Sequence, residues 1–482
     1  MSDRATRGDR LSPLDGSFLR LDAAGSLMHV GWSALCAPPG DRPRPSARAL
    51  RERVAGRLHE VPWSRWRLEP APFGLTEPRW IEDPDFDLSA HIVDLTSPSR
   101  RVSYADFAAL RDAVLSEPLD RSRPLWKVFL VPRLSDGRVA MIGKIHHSLV
   151  DGIAALQIVN LVLDGEPDRA VEPAADWAAP RAAGGAVAWT LDGVERAAGD
   201  GVRLLRASAG AALRPRSSLR EALRGVGQVV EAVRTDILPR APDSGLNVPI
   251  GRRRSLVGYH SPRAELRAAR ARGGTPNDIG LAVVAGALRS LAALQGDDPP
   301  VAPLKIMVPV SMRQPNETGS GNRFSMVYLR LPVHLARPED RLAWVRAQTE
   351  ELKYSDRAVG TQILFATAGL VPAPFRSPVV ATLAAPRVFN LTVSQSPGPR
   401  GTLYLLGCEV QEAFSVVPIA EGHALAIGMV RYRQELFFGC YGDPDALPEL
   451  DRLPGLIGAE MRALGALTGP RIPAAALAVA GS

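Results

Sequence analysis

The chain has 482 residues, too many for one hydrophobic core of ordinary size, and this length favours two domains, with three as the alternative. Hydrophobic residues make up 46% and charged residues 23% of the sequence, a composition typical of soluble globular proteins. The net charge of +7 comes almost entirely from arginine, because only four of the 58 basic residues are lysines. We attribute the excess of arginine over lysine to codon preference, and it indicates no particular class of binding partner.

The cysteines and the N-terminus set further bounds. Cys36, Cys408 and Cys440 are far apart, and no Cys or His spacing resembles a metal site, so we predict no metal and a reduced, cytoplasmic protein. The first residues lack the apolar core of a signal peptide. No apolar run reaches about 18 residues, so any membrane contact is predicted to be peripheral.

Short strand-like runs alternate with helical patterns from residue 11 to about 170. Residues 126–131 and 139–145 are rich in β-branched and aromatic side chains, and the turn signal at 135–137 between them predicts an antiparallel pair. Residues 152–163 carry apolar side chains at helical spacing.

A Pro- and Ala-rich stretch after residue 165 predicts the start of a linker. Two segments between 183 and 238 have the pattern of amphipathic basic helices. Such helices lie on anionic membranes or pack on the rest of the protein, and we prefer packing. We therefore divide the chain into an N-terminal domain (1–175), a helical crossover (176–250) and a C-terminal domain (251–482).

The second domain continues the α/β pattern. A long apolar helix is predicted over 277–294, with Asn277 placed to act as its N-cap. The predicted strands of this half are 305–313, 326–333, 388–394, 402–410 and 424–432.

The strongest chemical signal is the run His146-His147-Ser148-Leu149-Val150-Asp151-Gly152 at the end of a predicted strand. Neighbouring side chains of a strand point to opposite faces, so only one imidazole can enter a given site. A histidine there can take a proton from an alcohol and return it to a leaving group, because its pKa lies near neutrality. Asp151 can fix the loop or orient a ring nitrogen, and Gly152 permits the tight turn into the helix.

Other interpretations of this run remain open at this point. A histidine is more often a packed or surface residue than a catalyst. A metal site lacks a third ligand at suitable spacing. A serine nucleophile has little support, because the chain contains no G-x-S-x-G elbow.

The run resembles the HHxxxDG motif of the CoA-dependent acyltransferase superfamily, which includes chloramphenicol acetyltransferases and the condensation domains of peptide synthesis. More distant blocks are similar to the bacterial wax ester synthase/diacylglycerol acyltransferase family. They are 11–22 with 28–31, the Pro124-Leu125-Trp126 block, 246–254, Asn277-Asp278, 308–313 and Gly321-Asn322-Arg323.

This resemblance implies an α/β (α+β) protein of two chloramphenicol-acetyltransferase-like domains, each a mixed sheet with flanking helices, with the active site between them. It implies that His147 is the base, that Asp151 is structural and that Asn277 lies near the site. The catalytic candidates are therefore His147, Asp151, Asn277 and also His146. The candidates for substrate binding are Gly152, Trp126, Asp278, Gly321 and Asn322, although core packing is the preferred role for Trp126.

One block departs from the family. Members usually have Asn-Val-Pro-Gly-Pro late in the chain, where this sequence has Gln395-Ser396-Pro397-Gly398-Pro399. These residues generally form a structural turn, but the change can also alter the pocket for the acceptor.

The resemblance implies an enzyme that moves a fatty acyl group from acyl-CoA to a long-chain alcohol or diacylglycerol, with no cofactor beyond the acyl-CoA cosubstrate. Partners would be these substrates and a peripheral membrane or lipid-droplet surface, with a homodimer as one option and no nucleic acid. Two alternatives stay open: an acyltransferase of natural-product synthesis with a carrier-protein donor, and a lipid-surface binding protein without activity. The Arg252-Arg253-Arg254 run could meet a phosphate, but we expect a solvated linker.

Overall fold

The computed structural model describes residues 11–22, 25–71, 77–150, 152–173, 231, 233–296, 298, 300–311, 324–354, 381–396, 398–399, 401–468 and 472. The two helices predicted between 183 and 238 lie almost wholly outside these ranges.

Helices and strands alternate along both halves of the chain. The α-helices are α1 (Pro13–Leu21), α2 (Ala47–Ala55), α3 (Leu88–His91), α4 (Tyr104–Ser116), α5 (Gly152–Val162), α6 (Arg263–Ala271), α7 (Pro276–Leu294), α8 (Pro338–Tyr354) and α9 (Leu453–Ala466). The strands are β1 (His29–Cys36), β2 (Trp66–Glu69), β3 (Arg79–Glu82), β4 (Ile92–Asp94), β5 (Trp126–Val131), β6 (Val139–His146), β7 (Ser255–Ser261), β8 (Leu304–Ser311), β9 (Phe324–Leu331), β10 (Leu391–Ser396), β11 (Tyr404–Leu405), β12 (Cys408–Val416), β13 (Leu425–Tyr432) and β14 (Glu435–Gly442).

Two six-stranded sheets form the framework. The first has the order β11-β12-β1-β6-β5-β4, and the second has the order β7-β14-β13-β10-β8-β9. Each sheet contains both parallel and antiparallel pairs, for example β4 with β5 and β5 with β6. Mixed sheets with flanking helices in both halves agree with the predicted fold class.

The second half of the chain contributes strands to the first sheet. β12 pairs antiparallel with β1, from Gly31 opposite Val416 to Cys36 opposite Val410, and β11 extends the same edge. The boundary between the two sheets therefore does not coincide with the linker in the sequence, and the domain boundaries stay a prediction.

A row of three glycines lets the two sheets meet. Gly428, Gly439 and Gly258 lie opposite one another on β13, β14 and β7. A side chain at Gly439 would place its Cβ 2.3 Å from the backbone oxygen of Ser415 on β12, and one at Gly258 would overlap the ring of Phe414. The row is thus the flat surface on which β12 crosses the second sheet.

We predict that Gly439→Ala lowers the free energy of unfolding by about 1–3 kcal/mol or more, because a backbone atom cannot move aside as a flexible side chain can. Gly455→Ala in α9 is the matched control. Its new Cβ would meet no atom within 4 Å, and alanine is the better helix former, so a gain of up to about 1 kcal/mol is expected. Urea denaturation of both variants checks this, and equal stabilities would refute the close approach.

The helix α7 is the central core element of the second half. Twelve of its residues are buried, from Asp278 to Leu291. It is also the one helix among the described residues that is long and apolar enough to cross a membrane. Because 67% of that apolar stretch is buried inside the protein, α7 has the character of a core helix.

Several predicted elements need correction. The strand predicted over 402–410 is instead a tight hairpin of β11 and β12, turned by Leu406 and Gly407 with φ of 46° and 83°. Asn277 is not the N-cap of α7. Thr275 caps it and forms a capping box with Asp278, while Pro276 takes the first helical position, which suits its fixed φ.

The expected solvated linker is also only partly right. Arg252 and Arg253 are exposed, but Arg254 is buried, and its guanidinium donates to the backbone oxygens of Gly251, Arg253 and Gly25. Arg254 therefore holds the start of β7 against the segment before β1.

Candidate functional site

A cavity of about 320 Å³ lies between the two sheets. One wall comes from α1, α5 and the first sheet, and the other comes from β8, β9, β10 and β13 of the second sheet. Most of the lining is apolar, as is typical of ligand-binding pockets. Among its apolar residues are Phe18, Leu21, Met28, Val30, Ala155, Leu156, Val159, Leu163, Met307, Pro309, Met326, Phe389, Val417 and Val430.

His147 lines this cavity just beyond the end of β6. Its backbone N–H donates to the oxygen of Met28 at 2.8 Å, and its ring stacks on Phe18 with centroids 4.2 Å apart and planes 8° apart. Its Nδ1 is enclosed by protein atoms. The ring is thus held rigidly at a position suited to proton transfer.

His146 is turned away from the cavity and buried. Its Nδ1 accepts the backbone N–H of Ser148 at 3.1 Å and lies 2.7 Å from the Ser148 hydroxyl, so Nε2 carries the ring proton. That nitrogen lies 3.5 Å from Oδ2 of Asp22, which follows α1. His146 therefore connects the end of β6, next to His147, with the end of α1.

Asp22 is the centre of this connection. It accepts the backbone N–H of Met28 at 3.0 Å and a guanidinium hydrogen bond from Arg121 at 2.9 Å. Burial alone would raise the pKa of Asp22, but the hydrogen bonds from His146 and Arg121 outweigh it and lower that pKa to about 2. Since Met28 also accepts the N–H of His147, the Asp22 carboxylate positions the segment that holds His147.

Four histidines are buried in their neutral form. Burial lowers the pKa of His29 to about 3, and it also lowers the pKa values of His91, His146 and His423. The unfolded chain binds protons at these side chains near pH 6.5, whereas the folded protein does not. The stability that these neutral histidines contribute is therefore fully present above about pH 6.5 and decreases as the pH falls below it. For His29 the decrease continues toward pH 3.

We expect the free energy of unfolding, measured with urea, to fall as the pH is lowered from 7.5 to 5. His29→Gln should reduce this pH dependence, because it removes one group that the native state keeps neutral. His59→Ala, at an exposed histidine, should leave the pH dependence as it is. An unchanged slope in His29→Gln would contradict the expectation.

The Asn277-Asp278 pair lies at the start of α7 and is not part of the cavity wall. The Asp278 carboxylate accepts the backbone N–H and hydroxyl of Thr275 at 2.7 and 2.9 Å, and the Thr349 hydroxyl at 2.8 Å. The bonds with Thr275 cap α7, and the bond from Thr349 links α7 to α8. Asn277 itself is half-buried in the first turn.

Trp126 is buried in the core of the first half. Its indole N–H donates to the backbone oxygen of Ser64 at 2.6 Å, and its ring stacks on His91. It does not line the cavity. Gly152 is the first residue of α5. Three further candidates, Asp151, Gly321 and Asn322, lie outside the described residues.

The cavity wall and its surroundings include residues to which the sequence assigned no catalytic or binding role. Ser17 and Phe18 of α1 lie on the side of His147, and Asp22 follows the same helix. All three belong to the block 11–22 that carries part of the family resemblance. The resemblance pointed to this block, but it assigned no catalytic or binding role to these residues. On the opposite wall, the end of β10 contributes Ser394, Gln395 and Ser396.

One group of described residues, His59, Glu60 and Glu172, has ligand atoms close enough to hold a metal ion. None of the three lines the cavity, and exposed acidic groups are common without an ion. Among the described residues, the polar side chains of the cavity wall are His147 and a set of neutral hydroxyl, amide and indole groups.

Comparisons with known proteins identify the family of the chain. Residues 11–279 match the wax ester synthase/diacylglycerol acyltransferase catalytic domain, and residues 320–465 match the C-terminal domain of the same family. A Mycobacterium tuberculosis protein that is provisionally named a diacylglycerol O-acyltransferase is 30% identical, with 95% of this chain and 98% of the relative aligned.

Two solved structures share the fold. One is the wax ester synthase/diacylglycerol acyltransferase from Marinobacter aquaeolei VT8, with a TM-score of 0.65, 24% identity, and 95% of this chain and 98% of that chain covered. The other is the first condensation domain of the calcium-dependent antibiotic synthetase, with a TM-score of 0.56, 18% identity and 96% of each chain covered. This chain belongs to the wax ester synthase/diacylglycerol acyltransferase family and is an acyltransferase.

Proposed function

We propose that the protein transfers a fatty acyl group from acyl-CoA to the hydroxyl of a long-chain alcohol or diacylglycerol. The observation that carries this proposal is the position of His147, a rigidly held imidazole in the wall of a mostly apolar cavity between the two sheets. Both substrates bring long apolar chains, which gain free energy when they leave water for such a cavity.

The reaction is a direct transfer with both substrates bound. Nε2 of His147 takes the proton of the acceptor hydroxyl, and the oxygen attacks the thioester carbonyl carbon. The tetrahedral intermediate then breaks its C–S bond, an ester remains, and the CoA thiolate receives the proton from His147. A thiolate leaves readily, so one well-placed base suffices for both proton transfers.

Product analysis is the direct test. Purified protein is incubated with palmitoyl-CoA and either hexadecanol or dipalmitoylglycerol, while free thiol is measured and the lipids are separated. We expect an ester product in step with thiol release. Transfer only from an acyl group loaded on a carrier protein would replace this proposal, and binding to liposomes without thiol release for any acceptor would exclude it.

The proposed substrates also imply work at a lipid surface. We propose peripheral association with a membrane or lipid droplet in the cytoplasm, because diacylglycerols and wax alcohols are concentrated there. Flotation with anionic and neutral vesicles tests this association. Protein that stays in the soluble fraction with both would contradict it.

A further inference from the structure

The exposed polar groups of the cavity are unevenly distributed. His147 and Ser17 lie on the wall formed by the first sheet and α1. On the opposite wall, the second sheet contributes a short polar segment at the end of β10, which consists of Ser394, Gln395 and Ser396. All three are only partly buried. We call this segment the polar edge.

Other polar side chains of the wall cannot serve a ligand in the same way. Nε1 of Trp32 and Oγ of Ser415 are enclosed by protein atoms. The hydroxyl of Tyr432 is already used, because it donates to the oxygen of Val410 at 2.9 Å and accepts the N–H of Leu403 at 3.0 Å. Thr392, earlier on β10, also lines the cavity, but it is only 7% exposed. Among the described residues, the polar edge is therefore the most accessible set of neutral hydrogen-bonding groups on the second-sheet side.

The pairing of the strands explains why this segment faces the cavity. Within the described residues, β10 pairs with β8 only at Leu391 and Thr392, whereas β13 continues alongside to Ser396. Met307 and Pro309 of β8 line the cavity across this opening. The end of β10 thus borders a gap in the sheet, where both of its faces reach the cavity.

We propose that the polar edge binds oxygen atoms of the acceptor other than its reacting hydroxyl, and so selects a partial glyceride over a plain long-chain alcohol. This inference rests on the proposed function. The groups are neutral hydroxyls and an amide, which suit ester oxygens. Among the described residues of the wall there is no Lys or Arg, so the phosphates of CoA find no cation there.

The chemistry of the two acceptors differs at this point. Diacylglycerol carries two ester groups beside its free hydroxyl, and these can accept hydrogen bonds from Ser396 and Gln395. Hexadecanol has no oxygen other than the one that reacts. A site that offers hydrogen bonds discriminates against an analogue that cannot accept them, because its polar groups are then desolvated without a partner.

A competition experiment tests this selection. Palmitoyl-CoA is supplied together with equal concentrations of dipalmitoylglycerol and hexadecanol, and the ratio of triacylglycerol to wax ester is measured. We expect wild type to favour triacylglycerol. Ser396→Ala and Gln395→Leu should each lower the ratio about tenfold, the effect of one lost hydrogen bond. The ratio does not depend on how much of a variant is folded.

Ser261→Ala is the matched control, since Ser261 is a buried serine of the same sheet that does not line the cavity. It should keep the wild-type ratio. Ser396→Val is a second variant at the proposed position, and a β-branched residue suits the strand. It should lower the ratio as Ser396→Ala does.

Each outcome separates this inference from the proposed function. An unchanged ratio in an active Ser396→Ala enzyme overturns the selection and leaves acyl transfer standing. An equal loss with both acceptors, seen when each is supplied alone, assigns the polar edge to the thioester donor and also overturns it. A wild type that forms neither ester overturns both.

Discussion

His147→Ala is expected to lose nearly all acyl transfer while the protein remains folded. The side chain lines the cavity and stacks on Phe18, so its loss removes the proposed base from the cavity wall. General base catalysis contributes about 10²–10⁴-fold, and a loss of this size in turnover is expected. Thiol release from palmitoyl-CoA with a saturating acceptor measures it, alongside the melting temperature.

Two histidine controls make this result specific. His59→Ala, at an exposed position outside the cavity wall, should keep wild-type turnover. His146→Ala should lower the melting temperature, because it breaks the contacts with Ser148 and Asp22, and should reduce turnover less than His147→Ala. Wild-type turnover in His147→Ala would refute its role as the base.

Asp164→Ala is expected to cause the largest loss of stability. The Asp164 carboxylate follows α5 and pairs with Arg57 and, at 3.2 Å, with Arg53 of α2. All three side chains are buried. Removing the carboxylate leaves two guanidinium groups buried without their counter-ion, for which about 3–5 kcal/mol is a typical cost. Urea denaturation followed by circular dichroism gives the difference in unfolding free energy.

A second aspartate provides the comparison. Asp168 pairs with Arg42 at 2.8 Å, but its side chain is 76% exposed. Exposed pairs contribute at most about 1 kcal/mol, so Asp168→Ala should differ little from wild type. If the free energy of unfolding fell equally in both variants, burial of the Asp164 ion pairs would not explain the loss of stability.

The elements with a strong local pattern could be predicted from the sequence. β5 and its turn into β6 are confirmed, and α5 and α7 end within one residue of their predicted limits. The hairpin of β11 and β12 could not be predicted in this way. Its turn depends on two residues with positive φ, and the partner of β12 is nearly 400 residues away along the chain.

The site shows the same division between local and distant information. The opposite orientations of His146 and His147 follow from the alternation of a strand and agree with the structure. The role of Asp22 as partner of His146 could not be inferred, because it depends on how α1 returns to β6. The capping of α7 by Thr275 was within reach of local reasoning, because a threonine before Pro276 and three residues ahead of Asp278 is the pattern of a capping box.

The contribution of β12 to the first sheet has a consequence for synthesis of the chain. Until residues 408–416 have been made, the edge of β1 that they cover has no partner, and its free N–H and C=O groups can pair with another molecule. When only the first 175 residues have been synthesised, the first sheet therefore lacks β11 and β12, and the edge of β1 is uncovered. The nascent protein needs protection from aggregation until nearly its whole length has emerged, and the first half alone makes a poor expression target.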